Sequence, residues 1–197
     1  MNPVLAWAAD IHVAPPEPPP PPPPPPPAAN IVWIGSPHYS SGRKGMVVIA
    51  IVVHTMAGTL RGSDGWFNNP AAQLSSQYGI GLGGEQHQYV TLNNTAWANG
   101  RLEPGNTWPG MAYNVNEQTV SIETDDNGSG ATPVSEAQYQ ATLAVSRLAL
   151  HHFPSIQWVL AHHTISPQSR VNCCGARWRD SGQFNRLAND LGLRARY

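Results

Sequence analysis

The sequence predicts an α/β domain with a central mixed β-sheet flanked by helices, and three observations lead to this prediction. Residues 46–53 form an unbroken apolar run, rich in β-branched side chains, that is typical of a strand buried on both faces. Shorter strand patterns recur at residues 119–123 and 157–161, and helical patterns follow them. Strands that alternate with helices favour a sheet covered by helices.

Capping and turn signals mark the other elements. Ser135, followed three residues later by Gln138, has the pattern of a capping box and predicts a helix. Pro154 stops this helix, because proline cannot continue the backbone hydrogen-bond ladder. A last helix is predicted over residues 181–191. The alternating segment at residues 88–92, which follows a glycine pair, predicts a hairpin.

The composition changes sharply near residue 30. Residues 18–27 are ten consecutive prolines, and such a run lacks backbone donors and favours an extended polyproline II rod. We therefore divide the chain into an N-terminal peptide with a polyproline linker, residues 1–29, and a globular domain, residues 30–197. The linker is predicted to be a disordered or extended tail. The run is expected to act as a simple spacer, as a ligand for a partner with an aromatic groove, or as a tether for the peptide of residues 1–13.

Charge and hydropathy exclude several function classes. The chain has 11 Lys and Arg against 12 Asp and Glu, so a nucleic-acid partner is not expected. No apolar stretch is long enough to predict a membrane span. The apolar residues 4–9 form a short segment without a basic flank, and no signal peptide is recognised there.

Histidine and cysteine side chains follow the ends of predicted strands. His54 follows the first buried strand, His162 and His163 follow a later one, and Cys173 and Cys174 come about ten residues further on. Open α/β sheets bring their functional residues together at the carboxyl ends of the strands. Two histidines and one thiolate suit a catalytic zinc site with an open fourth position. A structural metal site, or histidines that are ordinary core residues, are the alternatives from these residues alone.

Six segments carry a resemblance to a known family. They are IVVHTMAG at 51–58, SSQYGI at 75–80, AWANG at 96–100, VSIE at 120–123, HHTISP at 162–167 and NCCG at 172–175. In this order and spacing they resemble the type 2 N-acetylmuramoyl-L-alanine amidases. That family includes phage amidases, bacterial recycling amidases and the peptidoglycan recognition proteins.

The resemblance implies a fold, an activity and a metal. The fold is the mixed sheet of the amidases and the peptidoglycan recognition proteins. The activity is hydrolysis of the amide bond between the lactyl group of N-acetylmuramic acid and L-alanine. The metal is Zn²⁺, with His54, His162 and Cys173 as the implied ligands. Relative to the family pattern one extra residue precedes the cysteine pair, so Cys174 stays an alternative third ligand.

The resemblance also implies catalytic side chains. Glu123 matches the glutamate that acts as general base in the recycling amidases, with a solvated strand-end carboxylate as the alternative. Arg170 is the cation nearest to the position of a lysine that stabilises the oxyanion, with an ordinary surface arginine as the alternative. Ser76 stands where some members have a tyrosine, so a tyrosine-based arrangement is not expected.

The implied substrate is bacterial peptidoglycan, a glycan with short peptides. Aromatic faces stack on sugar rings and amides hydrogen-bond peptides, so suitable side chains near the quoted motifs are candidate substrate contacts. The candidates are Tyr78, Trp97, Asn99 and Asn114. Ala98 stands at the histidine of the family's AWHAG segment, which removes one contact.

Two kinds of protein fit these observations. The first is a zinc amidase, with a phage or prophage endolysin favoured over a recycling enzyme. Such an endolysin would be made in the host cytoplasm and would act at the bacterial cell wall, and we expect a monomer. The second is a non-catalytic module of the same fold that binds muropeptides without cutting them.

Overall fold

The structure is a computed structural model that describes residues 30–110 and 114–197. The predicted N-terminal peptide and polyproline linker, residues 1–29, lie outside the described residues. Within the part that the structure describes, no helix is long and apolar enough to cross a membrane.

The described residues form nine strands and four α-helices. The strands are β1 (Ile31–Trp33), β2 (Tyr39–Ser40), β3 (Ala50–Thr55), β4 (Tyr78–Ile80), β5 (Gln86–Gln88), β6 (Thr95–Ala96), β7 (Thr119–Thr124), β8 (Trp158–Ala161) and β9 (Arg194–Arg196). The helices are α1 (Leu60–Asn68), α2 (Glu136–His152), α3 (Ala176–Arg179) and α4 (Gln183–Leu191). Two short 3-10 turns add Val115–Gln118 and His162–Thr164.

Seven of these strands form one mixed sheet in the order β1-β5-β4-β7-β3-β8-β9. The pairs at its centre, β4 with β7, β7 with β3 and β3 with β8, are parallel. β4 and β5 are antiparallel and form a hairpin around the glycine pair, but its second strand is Gln86–Gln88 and not the predicted segment 88–92. β2 and β6 form a separate two-stranded antiparallel sheet. The predicted fold class, a mixed sheet with flanking helices, is confirmed.

The central strand β3 begins later than the apolar run suggests. The run covers residues 46–53, but β3 covers Ala50–Thr55 and therefore includes His54. The register explains the shift, because Ala50 pairs with Thr119 at the start of β7 and with Trp158 at the start of β8. A strand begins where hydrogen-bonded partner strands are available. The hydrophobic pattern of one segment does not show where its partners begin.

The sheet has two different faces at its centre. Ile51 and Val53 of β3 pack against α2 and α4, and we call this the helix face. Ala50 and Val52 pack against Trp108, Val115 and Ile165, and we call this the loop face because connecting segments cover it. Successive side chains on a strand point to opposite faces, so His54 lies on the loop face with Ala50 and Val52.

The helix predicted from the capping box is present as α2. The side chain of Ser135 accepts a hydrogen bond from the backbone N–H of Gln138, at 3.0 Å, as an N-cap residue does. The helix predicted at 181–191 is present as α4, and its Phe184 and Leu187 are fully buried. Helix α1 and the edge strands β1 and β9 have no counterpart among the elements that we predict from the sequence.

Candidate active site and metal centre

His54 and Glu123 are neighbours near the carboxyl ends of the central parallel strands. The register of β3 and β7 pairs them directly. Both side chains therefore point to the loop face, and the Nδ1 atom of His54 lies 3.7 Å from a carboxylate oxygen of Glu123. The alternation in residues 119–123 gives the same result, because the polar residues Thr119, Ser121 and Glu123 share one face of β7.

His162 and Cys173 complete a cluster with His54. His162 begins a 3-10 turn directly after β8 ends at Ala161. Its ring centroid lies 4.4 Å from that of His54. The Sγ atom of Cys173 lies 3.8 Å from Nδ1 of His54. One donor atom from each of the three residues lies within 4.8 Å of the other two.

This donor set fits a zinc ion. A tetrahedral zinc ion places its nitrogen and sulfur ligands about 3.6 Å apart, close to the separation of the Cys173 and His54 donors. Burial lowers the pKa of His54 well below its usual value and lowers that of His162 to about 4. Both rings are therefore neutral at pH 7, the form that binds metals. Burial raises the pKa of the Cys173 thiol, and a coordinating thiol is deprotonated by its metal.

The second member of the cysteine pair has different surroundings. Cys174 is 1% exposed and packs on the helix face against Val53, Trp178 and Leu187. Its backbone carbonyl accepts a hydrogen bond from the hydroxyl of Thr55, at 2.6 Å. The structure thus brings Cys173, and not Cys174, to the two histidines.

His163 lies beside the cluster without joining it. Its backbone N–H donates to the carbonyl of Cys173, at 2.9 Å. Its ring Nδ1 is also 2.9 Å from that carbonyl. His163 therefore holds the main chain of Cys173 and contributes no atom to the three-residue cluster.

Glu123 is held in an unusual electrostatic state. Burial, followed by the negative charge of Asp126, raises the pKa of its carboxyl to about 8. Its Oε2 atom is buried and has no hydrogen-bond partner among the residues that the structure describes. An unpaired buried oxygen is costly, so this atom is one that a ligand or a water molecule is expected to satisfy.

The cluster opens into a cleft of about 720 Å³. His54, His162, Cys173 and Glu123 line it, and Trp97, Arg170, Arg179 and Asp126 lie along its walls. The positive charge of Arg170 opposes the rise in the pKa of Glu123. Trp97 is 36% exposed, and its indole N–H donates to the Ser40 hydroxyl at 3.0 Å. The cleft therefore offers an aromatic surface and a cation beside the proposed donors.

The structure does not place three of the four candidate substrate contacts in the cleft. Tyr78 pairs with Ile122 across β4 and β7, so it points to the helix face and is only 2% exposed. Asn99 is 1% exposed and bonds to His54, as described below. Asn114 caps the 3-10 turn that follows it, accepting from the N–H of Asn116. None of these three residues lines the cleft, whereas Trp97 does, so Trp97 is the candidate substrate contact that we retain.

Two side chains that matter to the site are absent from the sequence-based candidates. Asp126, which the sequence marks only as part of a turn, lines the cleft and raises the pKa of Glu123. Glu103 accepts from the N–H groups of Gln168 and Ser169, at 2.8 and 3.0 Å, and so anchors the loop that carries Arg170. The contacts of Glu103 have no local signal, because its partners are 65 and 66 residues away in the chain. Asp126 lies only three residues after Glu123, but the turn signal there does not show that its charge faces the site.

Comparison with known proteins agrees with this geometry. The sequence profile of the N-acetylmuramoyl-L-alanine amidase family matches residues 44–176. N-acetylmuramoyl-L-alanine amidase A of Achromobacter lyticus is 29% identical over 134 residues, which are 68% of this chain and 59% of that protein. The chain thus spans about three-fifths of the length of that relative.

Solved structures share the fold. A selenomethionine derivative of AmpD superposes with a TM-score of 0.66 at 23% identity, over 81% of this chain and 95% of that one. The E. coli amidase AmiD, in complex with anhydro-N-acetylmuramic acid-L-Ala-D-gamma-Glu-L-Lys, superposes with a TM-score of 0.61 at 22% identity, over 78% of this chain and 59% of that one.

The family profile covers about two-thirds of the chain, including β3, β7 and β8. It also covers the three clustered residues and Glu123. The folds of AmpD and AmiD have the same arrangement over most of this chain. On this evidence the chain belongs to the type 2 N-acetylmuramoyl-L-alanine amidase family.

Proposed function

We propose that the protein is a zinc-dependent amidase that cleaves the bond between N-acetylmuramic acid and L-alanine in bacterial peptidoglycan. One observation carries the proposal: a carboxyl group with a raised pKa lies 3.7 Å from one of three clustered metal-binding side chains. The family membership and the substrate in the AmiD complex support the choice of bond.

His54, His162 and Cys173 would hold the zinc ion. When bound, zinc would polarise the amide carbonyl, which makes its carbon a better electrophile, and would lower the pKa of a water molecule, which makes it a better nucleophile. Two neutral histidines and one thiolate carry one negative charge in total. All three side chains line the cleft, and three protein ligands would leave a fourth position for water or substrate.

Glu123 is the proposed general base and acid. Its carboxylate accepts a proton from the attacking water and then gives it to the nitrogen of the L-alanine amine as the amide bond breaks. A group does both steps best when its pKa is close to the working pH, and the pKa of Glu123 is raised to about 8. Its unpaired Oε2 leaves an acceptor ready for that proton.

Arg170 is the proposed stabiliser of the negative oxygen that develops during attack. It lies on the loop between Pro167 and Cys173, and its backbone carbonyl accepts from the N–H of Cys173 at 2.9 Å. This hydrogen bond fixes the main chain of Arg170 relative to that of Cys173, a proposed zinc ligand. A guanidinium in the cleft can donate to such an oxygen. Trp97 is the proposed stacking surface for the sugar ring.

Product analysis on purified peptidoglycan tests the proposal. We expect new amino groups of L-alanine without new reducing sugar ends, a loss of product with a zinc chelator, and recovery on addition of zinc. The Glu123→Gln variant should keep its zinc and lose about 10²- to 10⁴-fold in turnover, the usual contribution of acid–base catalysis.

The alternatives give different results in the same experiment. One zinc ion per chain with no new amino groups would indicate a module that binds muropeptides without cutting them. Unfolding on chelation, again without product, would indicate a structural metal. The unpaired carboxyl of Glu123 beside the cluster favours catalysis over both, because neither alternative uses it.

We also propose that residues 1–29 are a linker and that residues 30–197 form the catalytic domain of a phage or prophage endolysin. The seven-stranded sheet and the cleft that holds the proposed ligands are both formed by described residues of the 30–197 segment. Deletion of residues 1–29 should therefore leave hydrolysis of soluble muropeptides unchanged. A large loss would assign these residues to the active domain. Lysis of intact bacterial cells by the protein would support the endolysin role. Cleavage of small muropeptides without lysis of cells would support a recycling enzyme instead.

A further inference from the structure

Asn99 lies behind both histidines of the proposed metal centre. It belongs to the segment that follows β6 and is 1% exposed on the loop face. Its side-chain Oδ1 lies 2.9 Å from Nε2 of His54. Its backbone carbonyl oxygen lies 3.2 Å from Nε2 of His162. One residue therefore contacts both rings, once through its side chain and once through its main chain.

The hydrogen bonds of its amide group determine which atom faces His54. The Nδ2 group donates to the hydroxyl oxygen of Thr119 at 2.8 Å and to that of Ser121 at 3.2 Å. The Thr119 hydroxyl in turn donates to the carbonyl of Val115 at 2.9 Å, so towards Asn99 it can only accept. The amide nitrogen must point to β7, and the amide oxygen must point to His54.

The main chain of Asn99 is held equally firmly. Its N–H donates to Oδ1 of Asn116 at 2.7 Å, and the N–H of Ala98 donates to the same oxygen at 3.3 Å. Asn116 is anchored by Arg43, which donates to its backbone carbonyl at 2.9 Å. The carbonyl that faces His162 is therefore positioned by a hydrogen-bond network anchored on Asn116 and Arg43, neither of which lines the cleft.

Both oxygens that face the rings are acceptors only. Each histidine must then carry its proton on Nε2, which leaves the lone pair on Nδ1. For His54 that nitrogen is the one that faces Cys173 and Glu123, at 3.8 and 3.7 Å. A metal bound by the cluster would therefore meet the Nδ1 lone pair of His54, and Nδ1 is also the nitrogen that the contact with Asn99 leaves unprotonated on His162.

From these contacts we propose that Asn99 is the positioning residue of the metal centre, holding His54 through its side chain and His162 through its backbone in the tautomer that binds metal. This inference deepens the proposed function and rests on it for the metal. It replaces the role of substrate contact that the sequence suggests for Asn99. Only the contact with His54 uses the side chain. Substitution of Asn99 therefore removes the contact with His54 and leaves the backbone contact with His162 in place.

Zinc affinity of the full-length chain, measured by competition with a chelator, tests the proposal. We expect Asn99→Ala to weaken zinc binding about 10- to 100-fold, the usual effect of removing a partner of a metal-bound histidine. Asn99→Asp keeps an acceptor oxygen for His54 but loses the amide donor to Thr119 and Ser121, so its affinity should lie between those of Asn99→Ala and the unmodified protein. Asn93→Ala is the matched control, because Asn93 accepts from a surface histidine, His152, far from the cluster. It should leave the affinity unchanged.

Nitrogen NMR of the histidine side chains supplies a second readout that needs no metal. In the metal-free protein both His54 and His162 should show the Nε2-protonated tautomer. Asn99→Ala should release His54 into a mixture of tautomers and leave His162 unchanged, because the backbone carbonyl remains. Thermal unfolding of each variant checks that its fold is intact.

The outcomes separate this inference from the proposed function. Wild-type zinc affinity in Asn99→Ala, or an Nδ1-protonated His54 in the unmodified metal-free protein, would overturn the role of Asn99. A protein that binds no zinc but has both Nε2-protonated rings would overturn the metal centre and support the positioning by Asn99.

Discussion

Replacement of Glu123 by glutamine should stabilise the metal-free protein, in addition to its effect on turnover. Burial is the main reason that the pKa of this carboxyl rises from 4.5 to about 8, and Asp126 adds to the rise. The folded state therefore disfavours the charged form that the unfolded chain carries at neutral pH. Glutamine has nearly the same shape and no charge to desolvate, so the variant lacks this cost.

The size and sign of the effect follow from the two pKa values. Because the folded pKa lies above the unfolded one, the folded state binds more protons between pH 4.5 and 8. Stability is full below this window and falls as the pH rises through it. The cost is about 1 kcal/mol at pH 5 and about 3 kcal/mol at pH 7, and it approaches about 5 kcal/mol above pH 8.

Urea unfolding with a chelator present, at pH 5, 7 and 9, measures this difference in free energy between the unmodified protein and Glu123→Gln. Glu136→Gln is the matched control, since hydrogen bonds from Arg186 and Gln140 lower the pKa of Glu136 to about 2. Its contribution is present above pH 4.5 and is lost only at lower pH, so the control should show no pH-dependent difference from pH 5 to 9. An unfolding free energy of Glu123→Gln that differs from the unmodified protein by the same amount at all three pH values would refute the reasoning.

Two further predictions concern the cysteine pair and the long helix. Cys173→Ser should abolish zinc retention, and Cys174→Ala should keep it, because only Cys173 lies within the donor cluster. Metal analysis after gel filtration measures the retained zinc. The reverse result would make Cys174 the ligand. Ser135→Ala should cost about 1 kcal/mol by removing the N-cap of α2, and thermal unfolding should show a midpoint about 2–4 °C lower. An unchanged midpoint would mean that the cap contributes nothing.

Hydrophobic periodicity predicts the centre of the fold well. The apolar run at residues 46–53 and the alternation at 119–123 both correspond to parallel strands at the middle of the sheet. The capping pattern at Ser135 predicts the start of α2 to the residue. These signals are local. The strand patterns depend on whether a segment buries one face or both, and the capping pattern depends on a side chain that accepts from a nearby backbone N–H group.

Contacts between distant segments are a different matter. Tyr78 stands in a motif next to polar residues, yet the register that pairs it with Ile122 turns it to the helix face. Asn99 has the chemistry of a peptide contact, and only the fold reveals that its amide faces His54. In both cases the residue type suggests an exposed role, and the direction of the side chain decides against it.

The sequence alone therefore determines the class of fold, the family and the residue types that can bind a metal and move a proton, because these depend on pattern and composition along the chain. The tertiary structure decides which cysteine joins the histidines, which face Tyr78 points to, and what lies behind the two rings. Those outcomes depend on strand register and on loops that meet across the sheet, and 45 residues separate His54 from Asn99 in the chain. Such distances carry no local signal, so only packing brings the groups together.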